Sequence, residues 1–177
     1  MLNQLNVSTP SDTEIVMTRD FDAPRELVWE AITKPELLRR WMFTPQAWTW
    51  AVCDMDVRVG GAFRWAWNGP DGTIALTIWG EHREVSPPAR IVHTEYMQMG
   101  PGAGPCGGGE AGDGAEIWEM LVTQELTEEM GRTRLTMTLL CPSKEARDAA
   151  LASGMEHGVA AGYDRLDEIL ASSITRA

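Results

Sequence analysis

The feature that most constrains the fold is a series of segments in which apolar and polar residues alternate, separated by short turns. They run from VCDMDVRV, which starts at Val52, to RTRLTMTLLC, which ends at Cys141. Turns such as GG at residues 60–61 and GPDG at residues 69–72 connect them. Strands joined by turns this short pair antiparallel, since a parallel connection needs a crossover of about a dozen residues or more. With EIVMTRDF at residues 14–21, the sequence predicts an antiparallel sheet of about six to seven strands.

Helical patterns flank the strands. DAPRELVWEAIT follows the first strand with Pro24 at a first-turn position, and a second short helix continues through Trp41. After the last strand, Pro142 stops the sheet and Ser143 is suited to cap one long final helix. Strands grouped together and helices grouped at either side indicate an α+β domain, in which the final helix covers the apolar face of the sheet.

The predicted final helix carries three glycines, Gly154, Gly158 and Gly162, one turn apart. A glycine inside a helix costs about 1 kcal/mol relative to alanine. On a helical wheel Gly162 lies within the apolar face, and the other two lie on its flank. A residue without a Cβ lets bulky groups approach or leaves space unfilled. Two interpretations stay open: rings of the sheet interlock with the helix as core, or a cavity separates helix and sheet.

Tryptophan is abundant, with eight residues against two tyrosines and three phenylalanines. Such rings fill a core or line a wide pocket with rigid walls, and the sequence leaves both readings open. The choice of strand face is critical, because a shift of one residue would turn every sheet side chain of the pocket outward. The predicted lining residues of the pocket are Phe63, Trp65, Trp67, Trp118, Met120, Met155 and Val159.

Composition and charge limit the class of protein. Fifteen Lys and Arg against 26 Asp and Glu give a formal net charge of −11, which disfavours nucleic acid as a partner. The sequence shows neither a signal-peptide pattern nor an apolar stretch of the roughly 20 residues that cross a bilayer, so we expect no membrane partner. The three cysteines are far apart and form no CxxC pair, which favours a reducing, cytoplasmic location.

We expect one domain over residues 14–172, with a flexible N-terminal tail at residues 1–13 and a short tail at 173–177. The segment GPGAGPCGGGEAGDG at residues 100–114 is predicted to be a flexible loop between two strands, because it has too little apolar surface to bury. No lysine follows it and a strand comes next, which argues against a phosphate-binding loop.

Candidate catalytic groups are few. His93 and Glu95 alternate onto one face of a strand and Glu119 lies on another strand, and a buried glutamate beside a histidine can transfer protons. The alternative is a structural ion pair or a solvated face. His82 and His157 are predicted to be exposed. The sequence shows no metal-site motif and no nucleophile-base motif, so we expect no metal and no cofactor.

Four stretches resemble the family of homologues of the activator of the 90 kDa heat shock protein ATPase. They are FDAPRELVWEAITKPELLRRWM at residues 21–42, DVRVGGAFRW at 56–65, GEHREVSPPARIVHTE at 80–95 and PSKEARDAALASGMEHGVAAGYDRLDEIL at 142–170. The resemblance covers roughly residues 14–172. It implies membership of the START-like (SRPBCC) superfamily, which includes the birch pollen allergen. It also implies a helix-grip fold, in which a curved antiparallel sheet wraps a long C-terminal helix around a hydrophobic cavity.

The resemblance leaves function open, because one fold hosts many functions. We expect a binding protein for an apolar small molecule, with a cavity of roughly 300–1,000 Å³, as is usual for such sites. One alternative is an enzyme of cyclase or hydrolase type, known elsewhere in the superfamily, that uses Glu95 or Glu119. Another is an interaction protein that stimulates a chaperone ATPase. The sequence does not mark the chain as an enzyme, and it is compatible with a homodimer only by base rate.

Overall fold

A computed structural model describes residues 4–100 and 119–174 of the chain. The strands are β1 (Asn6–Ser8), β2 (Glu14–Phe21), β3 (Thr49–Met55), β4 (Ala62–Asn68), β5 (Ile74–Ser86), β6 (Arg90–Met99), β7 (Glu119–Glu129) and β8 (Arg132–Leu140). The helices are α1 (Arg25–Thr33), α2 (Pro35–Trp41), α3 (Lys144–Ala152) and α4 (Met155–Ile174).

The strands form one antiparallel sheet in the order β1-β2-β8-β7-β6-β5-β4-β3. The α+β class predicted from the sequence is confirmed, with one strand more than expected. The additional strand, β1, lies inside the segment predicted as an N-terminal tail and pairs Asn6 to Ser8 with β2. Of the predicted loop at residues 100–114, only Gly100 is among the described residues, where its N–H donates to the carbonyl of Ala75.

Helix α4 lies against one face of the sheet, which we call the inner face. Tyr163, Leu166 and Leu170 of this helix are at most 4% exposed and share one core with Phe21 of β2 and Leu135 of β8. This core extends to α1 and α2, whose buried side chains include Val28, Leu38 and Trp41. The described helices include none that is long and apolar enough to cross a membrane.

The final helix predicted from the sequence is two helices in the structure. Ser143 caps α3 as expected, with its hydroxyl accepting from the Ala146 N–H at 3.1 Å. Gly154 lies between α3 and α4 with φ of 72°, a left-handed conformation that glycine adopts at little cost. The chain therefore changes direction at Gly154, between the end of α3 and the start of α4. The prediction of a continuous helix through this residue was wrong.

Gly158 and Gly162 face the chain that follows α2, and not the rings of the sheet. A Cβ on Gly158 would lie 3.2 Å from Cδ1 of Phe43. A Cβ on Gly162 would lie 3.3 Å from both the Trp41 carbonyl oxygen and the Phe43 nitrogen. These glycines let the backbone at the end of α2 approach α4 closely. The spacing of Gly158 and Gly162 therefore reflects packing of α4 against the chain at the end of α2, and not against rings of the sheet.

A buried arginine joins the first long strand to the last helix. Arg19 of β2 is 2% exposed, and its Nη2 lies 2.8 Å from Asp164 Oδ1 and 2.5 Å from Asp167 Oδ2 of α4. Burial alone would lower the pKa of Arg19, but the hydrogen bonds to Asp167 and Asp164 outweigh it and leave the pKa raised. This ion pair fixes α4 against the inner face of the sheet.

Candidate functional site

Strand β4 turns three rings to the inner face of the sheet. Phe63, Trp65 and Trp67 alternate with Ala62, Arg64 and Ala66, and their exposed fractions are 3%, 7% and 3%. The rings of Phe63 and Trp65 lie 4.6 Å apart between centroids. The structure thus places these three predicted residues on the side of the sheet that α4 packs against.

Two histidines on neighbouring strands lie beside the Phe63 ring. His82 of β5 pairs with His93 of β6 in the sheet register, so both side chains point to the same face. They are 2% and 3% exposed, with ring centroids 5.9 Å apart. The Phe63 ring centroid lies 4.9 Å from that of His93 and 5.6 Å from that of His82. The prediction that His82 is exposed was wrong, whereas the side chain of His157 is 85% exposed, as expected.

The histidines form the wall of a small cavity between the sheet and α1. It leaves about 10 Å³ for the centre of a water molecule, which is close to the minimum that one ordered water requires. This space admits one small polar group, and it is far below the size expected for a complete ligand cavity. The lining residues are Ile32, Met55, Phe63, Trp65, His82, Ile91, His93 and Gln124.

The cavity wall contains polar atoms that no described residue satisfies. Both ring nitrogens of His82, Nδ1 of His93 and Nε1 of Trp65 are buried without a hydrogen-bond partner. A buried polar group left unpaired costs about 1–3 kcal/mol, and native structures contain few of them. Four such atoms around one cavity indicate a place where a polar group from outside the chain can be bound.

Electrostatics distinguish the two histidines. His93 Nε2 lies 3.4 Å from Glu95 Oε2, and the Glu95 side chain is 14% exposed. The structure therefore brings together the His93 and Glu95 that the sequence suggested as a pair. Burial first, and the nearby His93 second, lower the pKa of His82 to about 4. At neutral pH the ring of His82 is consequently uncharged.

The same architecture occurs in known proteins. The family model described as Activator of Hsp90 ATPase homolog 1-like protein matches residues 22–171. The chain belongs to this family. The match spans most of the sequence and every element that contributes to the cavity, so the resemblance predicted from four sequence stretches is confirmed.

Solved structures extend the comparison. A crystallised protein from Rhodobacter sphaeroides shares 31% sequence identity at a TM-score of 0.80, covering 96% of this chain and 99% of that one. The solution structure of a Staphylococcus epidermidis protein shares 26% at 0.71, covering 95% and 94%. A Mycobacterium smegmatis protein shares 23% at 0.73, covering 95% and 98%. The helix-grip fold is thereby confirmed. No curated protein matches the chain.

Trp67 and the other predicted site residues that the structure describes, apart from Phe63, Trp65 and His93, are not part of the cavity wall. Met120 is 9% exposed and belongs to a second core with Ile15 and Leu139, against which Met155 and Val159 also pack. Glu119 points to the opposite, outer face, where it accepts a hydrogen bond from the hydroxyl of Tyr96. Glu119 is therefore not brought together with His93. Trp118 lies outside the described residues.

Sequence reasoning missed His82 and Gln124 as site residues, and both line the cavity. The signal was present in strand parity. His82 is in phase with Leu76 and Ile78 of β5, and Gln124 is in phase with Val122 and Leu126 of β7. Side chains two residues apart in a strand share a face, so an apolar inner face predicts inward positions for both polar residues.

An incompletely covered strip of apolar side chains adjoins the cavity on the inner face. The sheet register places Ile78 opposite both Trp65 and Met97, and Leu76 opposite both Trp67 and Met99. The strip therefore continues the row of β4 rings onto β5 and β6, and on the other side onto Met55 of β3, which lies opposite Phe63. We call it the apolar strip, and its half-buried members are Met55, Leu76, Ile78, Met97 and Met99.

The site has no set of ligands for a metal ion. Across residues 4–100 and 119–174, no group of three or more His, Cys, Asp or Glu side chains is arranged to hold one. The arrangement combines residues with unpaired hydrogen-bonding atoms in the wall of a cavity with apolar side chains beside it, which is the usual composition of a small-molecule site.

Proposed function

We propose that this protein binds a small, mostly apolar molecule between the sheet and the helices that cover it. The observation that carries the proposal is the junction of a buried polar cavity with the half-buried apolar strip. An exposed or half-exposed apolar surface is stabilised when a ligand covers it, by about 25 cal/mol per Å² of apolar area removed from water. The helix-grip fold of the family is consistent with this role.

The described cavity alone is too small to enclose such a ligand. In the proposal, the polar end of the ligand occupies the cavity and its apolar body covers the strip. Methionine is unbranched and flexible, so Met55, Met97 and Met99 can adjust around ligands of different shape. We expect binding to take place in the cytoplasm, because widely spaced cysteines without a CxxC pair are usual in proteins of a reducing compartment.

The test is a screen of aromatic and lipid-like compounds by melting temperature and intrinsic tryptophan fluorescence. A ligand at about 100 times its Kd stabilises the folded state by about 2.7 kcal/mol, which raises the melting temperature by several degrees. Fluorescence should shift in parallel, because Trp65 lines the cavity and Trp67 pairs with Leu76 of the strip.

Met97→Trp places a large ring on the apolar strip and should weaken binding at least about tenfold by filling the space. The matched control is Leu121→Trp, which adds the same ring to an exposed position on the outer face of β7 and should leave Kd unchanged. If no compound alters melting or fluorescence, and the protein instead raises the ATPase rate of a chaperone, the binding proposal fails and the contact named by the family description takes its place.

The His93–Glu95 contact favours a second candidate, an enzyme of cyclase or hydrolase type that uses the same cavity. A histidine oriented by a carboxylate can act as a general base. Glu95→Gln should then abolish turnover of a ligand found in the screen, measured at saturating ligand so that a change in Kd does not affect the rate. Retention of full turnover in this variant would exclude the pair from catalysis.

A further inference from the structure

We propose that the ligand carries a hydroxyl group, as an alcohol or a phenol, which binds between His82 and His93 in the cavity. This inference rests on the proposed ligand-binding function and adds the chemical group that the site selects. It follows from the hydrogen-bonding direction of each buried polar atom in the cavity wall and from the size of the cavity.

Glu95 sets the orientation of hydrogen bonding at His93. A carboxylate oxygen can only accept, so the proton of the 3.4 Å contact between Glu95 Oε2 and His93 Nε2 is carried by the imidazole. A neutral imidazole has one N–H donor and one acceptor. In a His93 ring that carries its single proton on Nε2, Nδ1, which is buried without a partner, is an acceptor that requires a donor from outside the chain.

His82 supplies the opposite direction. Its ring is neutral at pH 7, and both of its nitrogens are buried without a partner, so one of them is an N–H donor. Nε1 of Trp65 is a second unpaired donor in the same wall. The cavity thus offers an acceptor on His93 and donors on His82 and Trp65.

A hydroxyl group matches this set, because it donates one hydrogen bond and accepts two. It would donate to His93 Nδ1 and accept from His82 or Trp65. Its single oxygen also fits a space of about 10 Å³ for a water-sized centre, which a carboxyl or primary amide group exceeds. A methyl ether or a ketone only accepts, and would leave His93 Nδ1 unpaired. An alkylammonium would bring an unpaired charge into a buried site, which is costly.

The experiment compares matched ligands. Kd is measured by calorimetry for a series of 4-alkylphenols and for their methyl ethers, at pH about 7.5, where His82 is neutral. We expect each phenol to bind about tenfold more tightly than its ether, the effect of one buried hydrogen bond. Nitrogen-15 NMR of the histidine side chains should show His93 protonated at Nε2 in the free protein, and the His93 Nδ1 resonance should move with phenol but not with ether.

Glu95→Gln tests the orientation of His93, because an amide can present either a donor or an acceptor to Nε2. The preference for phenol should fall to about threefold or less, since His93 is no longer held in one tautomer. The matched control, Glu81→Gln, alters a glutamate whose side chain pairs with Arg83 on the outer face of β5 and should keep the full preference.

The outcomes separate the two proposals. Equal affinity for phenols and ethers, or His93 protonated at Nδ1 in the free protein, overturns the hydroxyl inference while ligand binding stands. If neither series nor any compound of the apolar screen binds, both proposals fail together. A phenol preference that survives Glu95→Gln unchanged also overturns the inference, because the selectivity then has another origin.

Discussion

Replacing His82 by phenylalanine removes the imidazole that burial keeps uncharged, and should change how the free energy of unfolding depends on pH. The unfolded chain titrates this group near 6.5, and the folded protein near 4. Because the folded pKa is the lower one, the neutral form is favoured by folding. The contribution of the neutral His82 ring to the free energy of unfolding is complete above pH 6.5 and is lost as the pH falls from 6.5 towards 4.

The size of the effect follows from the two pKa values. Between about pH 7.5 and about pH 5, the unfolded state takes up nearly one proton at this position, while the folded state takes up little. The free energy of unfolding therefore falls by about 2 kcal/mol over this interval. Burial is the main cause of the lowered pKa of His82; His93 lowers it further and Asp56 raises it. Phenylalanine fills similar space beside Phe63 and does not titrate.

Urea unfolding at the two pH values measures this difference directly. The wild-type protein should lose about 2 kcal/mol more than His82→Phe on acidification. His157→Gln removes an imidazole whose side chain is 85% exposed and should follow the wild type. Parallel pH dependence in wild type and His82→Phe would refute the reasoning, since it would mean that His82 is solvated or charged in the folded protein.

Four further substitutions test stability, measured as the free energy of unfolding in urea. Gly158→Ala should stabilise α4 by up to about 1 kcal/mol, because the only close neighbour is a ring that can move. Gly162→Ala should be at least about 1 kcal/mol less stable than Gly158→Ala, because the new methyl meets two backbone atoms. Arg19→Met should cost about 3 kcal/mol, since Asp167 is left half-buried without its partner. Ser143→Ala should cost about 1 kcal/mol through loss of the α3 cap.

Each of these changes has a result that would contradict it. Equal stability of the two alanine variants would show that the approach of the chain after α2 is looser than the distances indicate. If Arg19→Met with Asp167→Leu were no more stable than Arg19→Met alone, the cost would come from lost packing and not from an unpaired carboxylate. A Ser143→Ala variant as stable as the wild type would show that water replaces the cap.

Alternation and turn residues were enough to predict the sheet. The first long strand was predicted at its observed bounds, Glu14–Phe21, and its alternate side chains Ile15, Met17 and Phe21 are apolar and buried. The inner-face position of Phe63, Trp65 and Trp67 agrees with the parity of β4. Strand β1 escaped detection because three residues carry no period, and its pairing depends on β2 being in place.

Tertiary contacts decided what the local pattern could not. The wheel of the final helix showed that glycines lie together, but it could not show that the chain at Trp41 and Phe43 is what approaches them. It also continued through Gly154, because a left-handed φ leaves no mark in hydrophobic periodicity. His82 was judged by its polarity alone, although strand parity places it with Leu76 and Ile78 on the inner face.

The pairing of β2 with β8 has a consequence for biosynthesis. These strands are joined along Glu14 to Phe21 and Leu140 to Thr133, so more than a hundred residues separate partners that share hydrogen bonds. A ribosome must therefore deliver β8 and the more than one hundred residues that precede it before the early strand obtains this neighbour, and closure of so long a chain segment is slow. Until then one edge of β2 is exposed to other chains, which makes this interval the time when the nascent protein depends most on protection against aggregation.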